Sequence, residues 1–242
     1  MRVALVTGAA RRIGAAIASK LHAEGYRVIL HYRSSTTQAQ HLVKELNRLR
    51  PASAQILRAD LCRHDLLAHL VTEATSFWGR LDVLINNASS FYATQLGTVN
   101  EAQWDELLGS NLKAPFFLSQ AAAPMLREHQ GTIVNLVDIH AEGGLRHYPV
   151  YSIAKAGLAA MTRVLAKELA PEIRVNGVAP GAVLWPEHDM DGVRQAEIIS
   201  RIPLKHPGEP ADIAKAVLYL VDQAPYVTGQ IITVDGGRSL HF

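Results

Sequence analysis

The chain has 242 residues, a formal net charge of +2 and a single cysteine. Its composition, 48% hydrophobic and 19% charged, is that of a folded protein with a sizeable core and argues against disorder. The scattered charges form no basic stripe, which argues against nucleic acid as a partner. The lone Cys62 cannot form an internal disulfide, and the first apolar run, VALV, is too short for a signal sequence or a membrane span. We therefore expect a cytoplasmic protein without membrane association.

Short β-rich runs alternate along the chain with longer stretches whose apolar residues recur every three or four positions. The runs are RVALVTG, YRVILHY, AQILRAD, LDVLINN, GTIVNLV, IRVNGVAP and QIITVDGG. Helices are predicted in IGAAIASKLHAEG, AQHLVKELNRLR, LLAHLVTEATSFWG and AGLAAMTRVLAKELA. Continuous apolar strands indicate burial on both faces, so this order predicts an α/β fold, a doubly wound Rossmann domain with a seven-stranded parallel sheet flanked by helices on both faces.

No shift in composition marks a domain boundary, so one domain is expected over residues 1–242. Residues 182–208 form the longest interval without a predicted strand and contain three prolines. We expect this interval to be a substrate flap.

The turn after the first strand, TGAARRIG, is the first candidate site, because ligands of doubly wound sheets lie beyond the carboxyl ends of the strands. Gly8 allows a sharp turn, and Gly14 allows the following helix to pack closely while its N-terminal N–H groups face a pyrophosphate. Arg11, Arg12 and Ile13 lie between these glycines. The position of the two glycines in a β-α-β unit favours a dinucleotide site over an ordinary strand-to-helix turn.

The end of the second strand predicts which nucleotide binds. Four residues are candidates for contact with its ribose: His31, Tyr32, Arg33 and Ser34. An NAD site usually has an acidic residue here, whereas a 2′-phosphate requires cations. The segment LHYRSST has no carboxylate, and Arg11 adds a second positive charge, so NADP(H) is favoured over NAD. At the end of the third strand, Asp60 and Leu61 are expected near the adenine edge.

Tyr151 and Lys155 are four residues apart, on one face of a predicted helix. A phenol has an ordinary pKa of about 10, too high for efficient proton exchange at neutral pH, and a nearby ammonium stabilises the phenolate. Placement after the fifth strand favours a catalytic pair over a helix surface pair, with Lys155 tuning Tyr151. Thirteen positions before the tyrosine, the apolar run TIVNLV ends in Asp138.

The segments TGAARRIG, NNAS, SNLKAPF, YSIAK, APG and TGQIITVDGG together resemble the short-chain dehydrogenase/reductase family along the whole chain. The resemblance implies that Asn111 joins Asp138, Tyr151 and Lys155 in the catalytic arrangement. The further cofactor contacts that it implies are Asn87, Ala88, Ser89, Pro180 and Gly181. The chain departs from the family at two positions: Arg12 replaces the middle glycine of the first turn, and Asp138 replaces a serine whose hydroxyl donates to a substrate carbonyl.

A carboxylate beside a carbonyl oxygen repels developing negative charge, whereas reduction of a C=N bond leaves a nitrogen that must be protonated. The aspartate resembles the pteridine reductase branch of the family, which also shares RRIG and NNASSFY. That resemblance implies that Phe91 stacks on a pterin ring opposite the nicotinamide and that Ser89 contacts cofactor or substrate. Arg12 is then expected to pair with the pyrophosphate and reach toward the substrate. Trp185 either closes over the ring or anchors the flap.

The leading hypothesis is an NADPH-dependent pteridine reductase that acts on a small-molecule pterin or folate such as dihydrobiopterin, dihydromonapterin or dihydrofolate. A carbonyl reductase acting on 3-oxoacyl thioesters and a non-catalytic NADP sensor are the alternatives. The eleven histidines are dispersed, so no metal is expected. By resemblance, the chain is expected to form a homotetramer, with the C-terminal VDGGRSLHF near a subunit contact.

Overall fold

The computed structural model of the chain describes residues 1–183 and 192–241. Its strands are β1 (Val3–Val6), β2 (Arg27–Tyr32), β3 (Ala54–Arg58), β4 (Val83–Asn86), β5 (Thr132–Leu136), β6 (Arg174–Pro180) and β7 (Ile231–Val234). They form one seven-stranded sheet in the order β3-β2-β1-β4-β5-β6-β7, and every neighbouring pair is parallel. The predicted doubly wound sheet is confirmed.

Helices connect the strands on both sides of the sheet. They are α1 (Arg12–Ala23), α2 (Thr36–Leu49), α3 (Leu67–Ser76), α4 (Glu101–Leu108), α5 (Ala114–Glu128), α6 (His140–Gly143), α7 (Pro149–Glu168), α8 (Gly192–Ser200) and α9 (Pro210–Leu218). Single π-helical turns at Gly109–Lys113 and Tyr219–Gln223 follow α4 and α9, and short 3₁₀ turns cover His64–Leu66 and Arg238–His241. The four predicted helices correspond to α1, α2, α3 and α7.

Burial on both faces explains why the strands are continuously apolar. In β1, Val3 and Leu5 belong to the apolar cluster that contains residues of α3, α5 and α7, whereas Ala4 and Val6 belong to the cluster on the opposite face with α1 and α9. Successive side chains of a strand point to opposite faces of a sheet, so each must be apolar when helices cover both.

The strand order determines where the loops meet. The chain builds β2 and β3 on one side of β1 and then crosses to β4 on the other side, so the order reverses between β1 and β4. The loops that follow β1, β4 and β5 therefore lie together beyond the carboxyl ends of neighbouring strands. Trp185, and the part of the predicted flap at 184–191, lie outside the described residues. Within 1–183 and 192–241, no helix has both the length and the apolarity to span a bilayer.

Candidate active site

The turn after β1 depends on two glycines. Gly8 has a φ of +63°, and a Cβ atom there would lie 2.9 Å from the Cα of Ala88. A Cβ atom on Gly14 would overlap the carbonyl oxygen of Gly8 and approach Nδ2 of Asn87 to 2.6 Å. Only glycine allows α1 to start this close to the strand end. The resulting cradle, at the N-terminus of a twelve-residue helix, suits the pyrophosphate of a dinucleotide.

Arg12 has a left-handed backbone, with a φ of +56°. This is the position at which the short-chain dehydrogenase/reductase turn has its middle glycine, so the chain retains the glycine conformation with an arginine in place. A residue with a Cβ atom pays about 1–2 kcal/mol for that conformation. Such strain is typical of functional sites. Arg11 and Arg12 are both exposed at the start of α1, and Ile13 is half-buried beside them.

Thr7, which sequence reasoning missed, joins the turn after β1 to the loop after β4. Its buried hydroxyl accepts hydrogen bonds from the backbone N–H groups of Asn87 (2.9 Å) and Ala88 (3.0 Å). The Asn87 side-chain amide in turn donates to the carbonyl oxygens of Thr7 (2.8 Å) and Gly8 (3.1 Å). Asn87 therefore stabilises the glycine turn through its side-chain N–H groups.

His31, one of the predicted nucleotide contacts, lies beneath the glycine turn. Its side chain is 1% exposed, its Nδ1 accepts the backbone N–H of Gly8 at 3.2 Å, and its Nε2 lies 3.1 Å from the carbonyl oxygen of Ala59. Burial lowers the pKa of His31 to about 4, so the ring is neutral at pH 7. The imidazole supports the glycine turn from behind and brings no positive charge to a nucleotide.

The remaining residues at the ends of β2 and β3 divide into exposed and buried ones. Arg33 and Ser34 are exposed, whereas Tyr32 packs in a small buried cluster with neighbouring alanines. Asp60 is exposed, and its Oδ1 accepts the backbone N–H of Cys62 at 3.0 Å. Leu61 is part of the hydrophobic core.

Pro180 is the last residue of β6, and Gly181 follows it. Gly181 donates its backbone N–H to the carbonyl oxygen of Val234 at 2.9 Å, and a Cβ atom there would lie 2.7 Å from the Cα of Asp235. The carbonyl oxygen of Pro180 accepts the N–H of Ile139 at 3.4 Å. These contacts hold the loops after β5, β6 and β7 together at the edge of the cleft.

Asp138 and Tyr151 meet directly. The phenol of Tyr151, in the first turn of α7, donates a hydrogen bond of 2.8 Å to Oδ2 of Asp138. The second carboxylate oxygen, Oδ1, accepts the backbone N–H of His140 at 2.8 Å. The carboxylate after β5 is thus fixed in orientation by its own loop and aimed at the phenol.

The electrostatics of Tyr151 differ from the sequence-based prediction. Burial and the neighbouring Asp138 carboxylate raise the pKa of Tyr151 well above its ordinary value, so the phenol stays protonated. Lys155 is 3% exposed, donates to the carbonyl oxygen of Leu136 at 2.7 Å, and lies 5.7 Å from the centre of the Tyr151 ring. Burial lowers the pKa of Lys155 to about 8, against the opposing effect of Asp138. The carboxylate outweighs the ammonium in setting the state of the phenol.

Asn111 lies in the π-helical turn between α4 and α5 and is fully buried. Its Nδ2 donates to the carbonyl oxygens of Ser90 (2.9 Å) and Leu107 (3.0 Å), and its Oδ1 accepts the hydroxyl of Ser89 at 2.6 Å. Because π-helical turns inside helices frequently mark functional sites, this arrangement fits the predicted role of Asn111. It attaches the loop after β4 to the end of α4.

Phe91 forms one wall of the cleft. Its ring stacks on Tyr148 with centres 4.7 Å apart and planes 8° apart, and it meets Tyr151 edge-on at 4.8 Å. The side chain remains 48% exposed, so apolar ring surface is left for a ligand. Tyr148 was not predicted, although its place three residues before Tyr151 puts it on the same side of the helix start.

The structure thus brings together Asp138 from the loop after β5, Tyr151 and Lys155 from α7, and two residues of the loop after β4, Ser89 and Phe91. Asn111 lies directly behind that loop. The cleft combines a protonated phenol, a fixed carboxylate acceptor, a buried ammonium and an aromatic wall next to a dinucleotide cradle. Such a set of groups suits hydride transfer coupled to delivery of a proton.

A family model described as enoyl-(acyl carrier protein) reductase matches residues 8–239. The chain is 40% identical to pteridine reductase 1 of Leishmania tarentolae, over 98% of this chain and 96% of that protein. It is 37% identical to a 3-oxoacyl-(acyl-carrier-protein) reductase of Staphylococcus epidermidis, over 97% of each. It is 36% identical to a putative ketoacyl reductase of the granaticin polyketide synthase of Streptomyces violaceoruber, over 98% of this chain and 96% of that protein. The chain belongs to the short-chain dehydrogenase/reductase family, whose members are NAD(P)H-dependent oxidoreductases.

Proposed function

We propose that the protein is an NADPH-dependent pteridine reductase that converts dihydropterins to tetrahydropterins. The observation that carries the proposal is the hydrogen bond of 2.8 Å between Tyr151 and Asp138. The relatives include a pteridine reductase and two ketoacyl reductases at similar identity, so likeness alone does not select a substrate. The carboxylate at position 138 distinguishes the two chemistries.

The glycine cradle supports a bound dinucleotide, and Gly8, Arg12 and Gly14 would hold its pyrophosphate. The exposed Arg33 and Ser34 would contact a 2′-phosphate, which supports NADPH over NADH. When bound, NADPH supplies the hydride that adds to the carbon of a ring C=N bond. The nitrogen of that bond then needs a proton, and the residues of the chain determine where the proton comes from.

Tyr151 holds a proton at the cleft because burial and Asp138 raise its pKa. A pterin ring presents N–H groups as well as ring nitrogens, and the fixed carboxylate of Asp138 accepts hydrogen bonds from such groups. A carbonyl substrate offers only an acceptor oxygen, which the carboxylate repels. The phenol and the carboxylate together therefore suit protonation of a ring nitrogen, with the carboxylate positioning the ring and sharing the proton with Tyr151.

The aromatic wall supports a flat substrate. Phe91 is held against Tyr148 and Tyr151, and its exposed surface offers a planar heteroaromatic ring an offset-stacked contact. Such contacts contribute about 0.5–1.5 kcal/mol beyond the burial of area. A linear acyl thioester gains less from this surface. Reduction of 3-oxoacyl thioesters is nevertheless the second candidate, because two of the relatives are named as ketoacyl reductases.

We propose further that the protein is a cytoplasmic homotetramer. Large apolar side chains are exposed on the outer surfaces of α4, α5 and α7. They are Trp104, Phe116, Phe117, Ile153 and Val164. Their presence on neighbouring helices supports subunit contacts there, and light scattering of the purified protein in solution measures the assembly mass directly.

The test of the function is NADPH oxidation by the purified protein with dihydrobiopterin, dihydrofolate and a 3-oxoacyl thioester offered separately. Turnover of the pterins alone supports the proposal. Turnover of the thioester alone selects the carbonyl reductase. NADPH binding without turnover of any of the three supports a sensor instead. The same series with NADH tests the choice of cofactor.

A further inference from the structure

Glu106, on α4, receives contacts from two different edges of the cleft. Nη1 of Arg33, just after β2, lies 3.6 Å from its Oε1. The hydroxyl of Ser90 donates to the same oxygen at 3.2 Å, and the phenol of Tyr92 donates to Oε2 at 3.1 Å. Ser90 and Tyr92 belong to the loop after β4. One carboxylate therefore links the nucleotide side of the cleft to the substrate side.

The two loop contacts fix the residues on either side of Phe91. The carbonyl oxygen of Ser90 also accepts a hydrogen bond from the side-chain amide of Asn111. The phenol of Tyr92 has one acceptor besides Glu106, the carbonyl oxygen of Gln103 at 3.4 Å. The reaction proposed above assigns Glu106 no part. Its contacts place it where it can influence the wall of the substrate site without touching the substrate.

The ion pair with Arg33 is the weakest part of this cluster. The arginine side chain is 54% exposed, and a single nitrogen approaches the carboxylate at a distance beyond a normal hydrogen bond. Exposed pairs of this kind contribute little. A phosphate monoester offers the same guanidinium two parallel charge-assisted hydrogen bonds. A 2′-phosphate at the end of β2 would therefore take Arg33 from Glu106.

When Arg33 binds the 2′-phosphate, the Glu106 carboxylate loses its ion-pair partner. Without the cation, the charge of Glu106 is shared only with its hydroxyl donors, which makes the carboxylate a stronger acceptor for Ser90 and Tyr92. We propose that Glu106 is a positioning residue that releases Arg33 to the 2′-phosphate of NADPH and thereby couples that phosphate to the loop carrying Phe91. The inference rests on the proposed NADPH cofactor.

The test measures dissociation constants for NADPH and NADH by fluorescence titration, which requires no pterin turnover. Glu106→Gln removes the competing charge but keeps the shape, so we expect NADPH to bind about threefold more tightly, within the range of exposed ion pairs. NADH affinity should not change. In an Arg33→Ala background, Glu106→Gln should have no effect on either cofactor. Asp105→Asn, an exposed neighbour on the same helix, is the control and should leave both constants at their wild-type values.

A second measurement follows the loop itself. Hydrogen exchange at the amides of Ser90 to Tyr92 should slow more with NADPH than with NADH in the wild-type protein, and equally with both in Glu106→Gln. If Glu106 had only a structural role, Glu106→Gln would change hydrogen exchange in this loop equally with NADPH and with NADH.

The outcomes separate this inference from the function on which it rests. One outcome is that Arg33→Ala reduces the preference for NADPH but Glu106→Gln leaves the ratio of the two dissociation constants unchanged. The proposed release of Arg33 from Glu106 is then wrong, and the cofactor assignment stands. If Arg33→Ala also leaves the ratio unchanged, Arg33 is not the phosphate contact and both fail. Weaker binding of NADPH to Glu106→Gln likewise overturns the proposed release of Arg33 from Glu106.

Discussion

Oη of Tyr151 lies 2.8 Å from Oδ2 of Asp138 and donates a hydrogen bond to it. A phenolate at this position would face a carboxylate across that short distance, so the pair favours the protonated phenol. Lys155 lies beside the ring of Tyr151 but donates its hydrogen bond to the backbone at Leu136. The tyrosine therefore keeps its proton in the resting site, and Asp138 is the neighbouring group that holds it protonated.

Asp138→Ser should lose dihydropterin reduction while it retains NADPH binding. The substitution removes the carboxylate that accepts the Tyr151 hydrogen bond and that we propose positions the ring and shares the proton, but leaves the glycine cradle intact. We expect kcat/KM for dihydrobiopterin to fall by about 100-fold, the lower range for loss of general acid catalysis. Steady-state kinetics and an NADPH titration of the same preparation check both parts. Asp138→Asn, which keeps the shape without the charge, is the matched control and should also be impaired. Turnover at the wild-type rate in both variants would remove Asp138 from the mechanism.

The buried Lys155 predicts a gain of stability at alkaline pH. Its pKa is about 8 in the folded protein, against an ordinary value of 10.5. Between these values the unfolded chain binds more protons than the folded one, so the free energy of unfolding rises with pH across this window. The full effect is about 3 kcal/mol, an order-of-magnitude figure for a group this buried.

Urea unfolding of wild type and of Lys155→Met at about pH 7, 9 and 10.5 measures the effect, because the variant lacks the titrating group. The difference in unfolding free energy between the two proteins should move in favour of the wild type as pH rises. Parallel curves for the two proteins would show that Lys155 titrates normally.

His31 predicts a loss of stability at acid pH. Its folded pKa of about 4 lies below its ordinary value of 6.5 because burial of the ring disfavours the charged form, and this outweighs the opposing effects of the Ala59 carbonyl oxygen and of Asp60. The unfolded chain therefore binds more protons between these values, and the free energy of unfolding falls as pH drops through this window. We expect a loss of up to about 3 kcal/mol. His31→Gln, which does not titrate, should lack this component in urea unfolding at pH values from about 7 to 4. If the free energy of unfolding of His31→Gln falls as much at acid pH as that of the wild type, other groups cause the effect.

The strands could be predicted from sequence because burial on both faces makes each of them a continuous apolar run. Helices α4, α5, α6, α8 and α9 were not among the predicted ones. In α5 the reason is visible: Pro115 lies in its first turn and Pro124 in its interior, and prolines obscure a helical pattern. The first-turn position is compatible with a helix, since the N–H that proline lacks has no intrahelical partner there.

Asp138, Tyr151 and Lys155 could be placed near one another because the carboxyl ends of parallel strands share one edge of the sheet. What sequence does not contain is orientation. His31 lies near the end of β2 and its side chain contacts the glycine turn, whereas Arg33, just after the strand, is exposed and faces Glu106. The contacts of Glu106 join residues more than ten positions apart, and no local pattern specifies them.

Arg12→Gly should stabilise the fold and weaken cofactor binding. The left-handed backbone at φ +56° is free of strain for glycine, so the free energy of unfolding should rise by about 1 kcal/mol. Loss of the guanidinium should at the same time raise the dissociation constant for NADPH, since Arg12 is the predicted pyrophosphate contact. Arg12→Ala separates the two effects because it removes the charge and keeps a Cβ atom in the strained conformation. Alanine should therefore weaken NADPH binding as glycine does, without the gain in stability. If glycine instead destabilises the protein, the contacts of the arginine outweigh its backbone strain; if NADPH affinity is unchanged in both variants, the arginine was retained for the substrate and not for the cofactor.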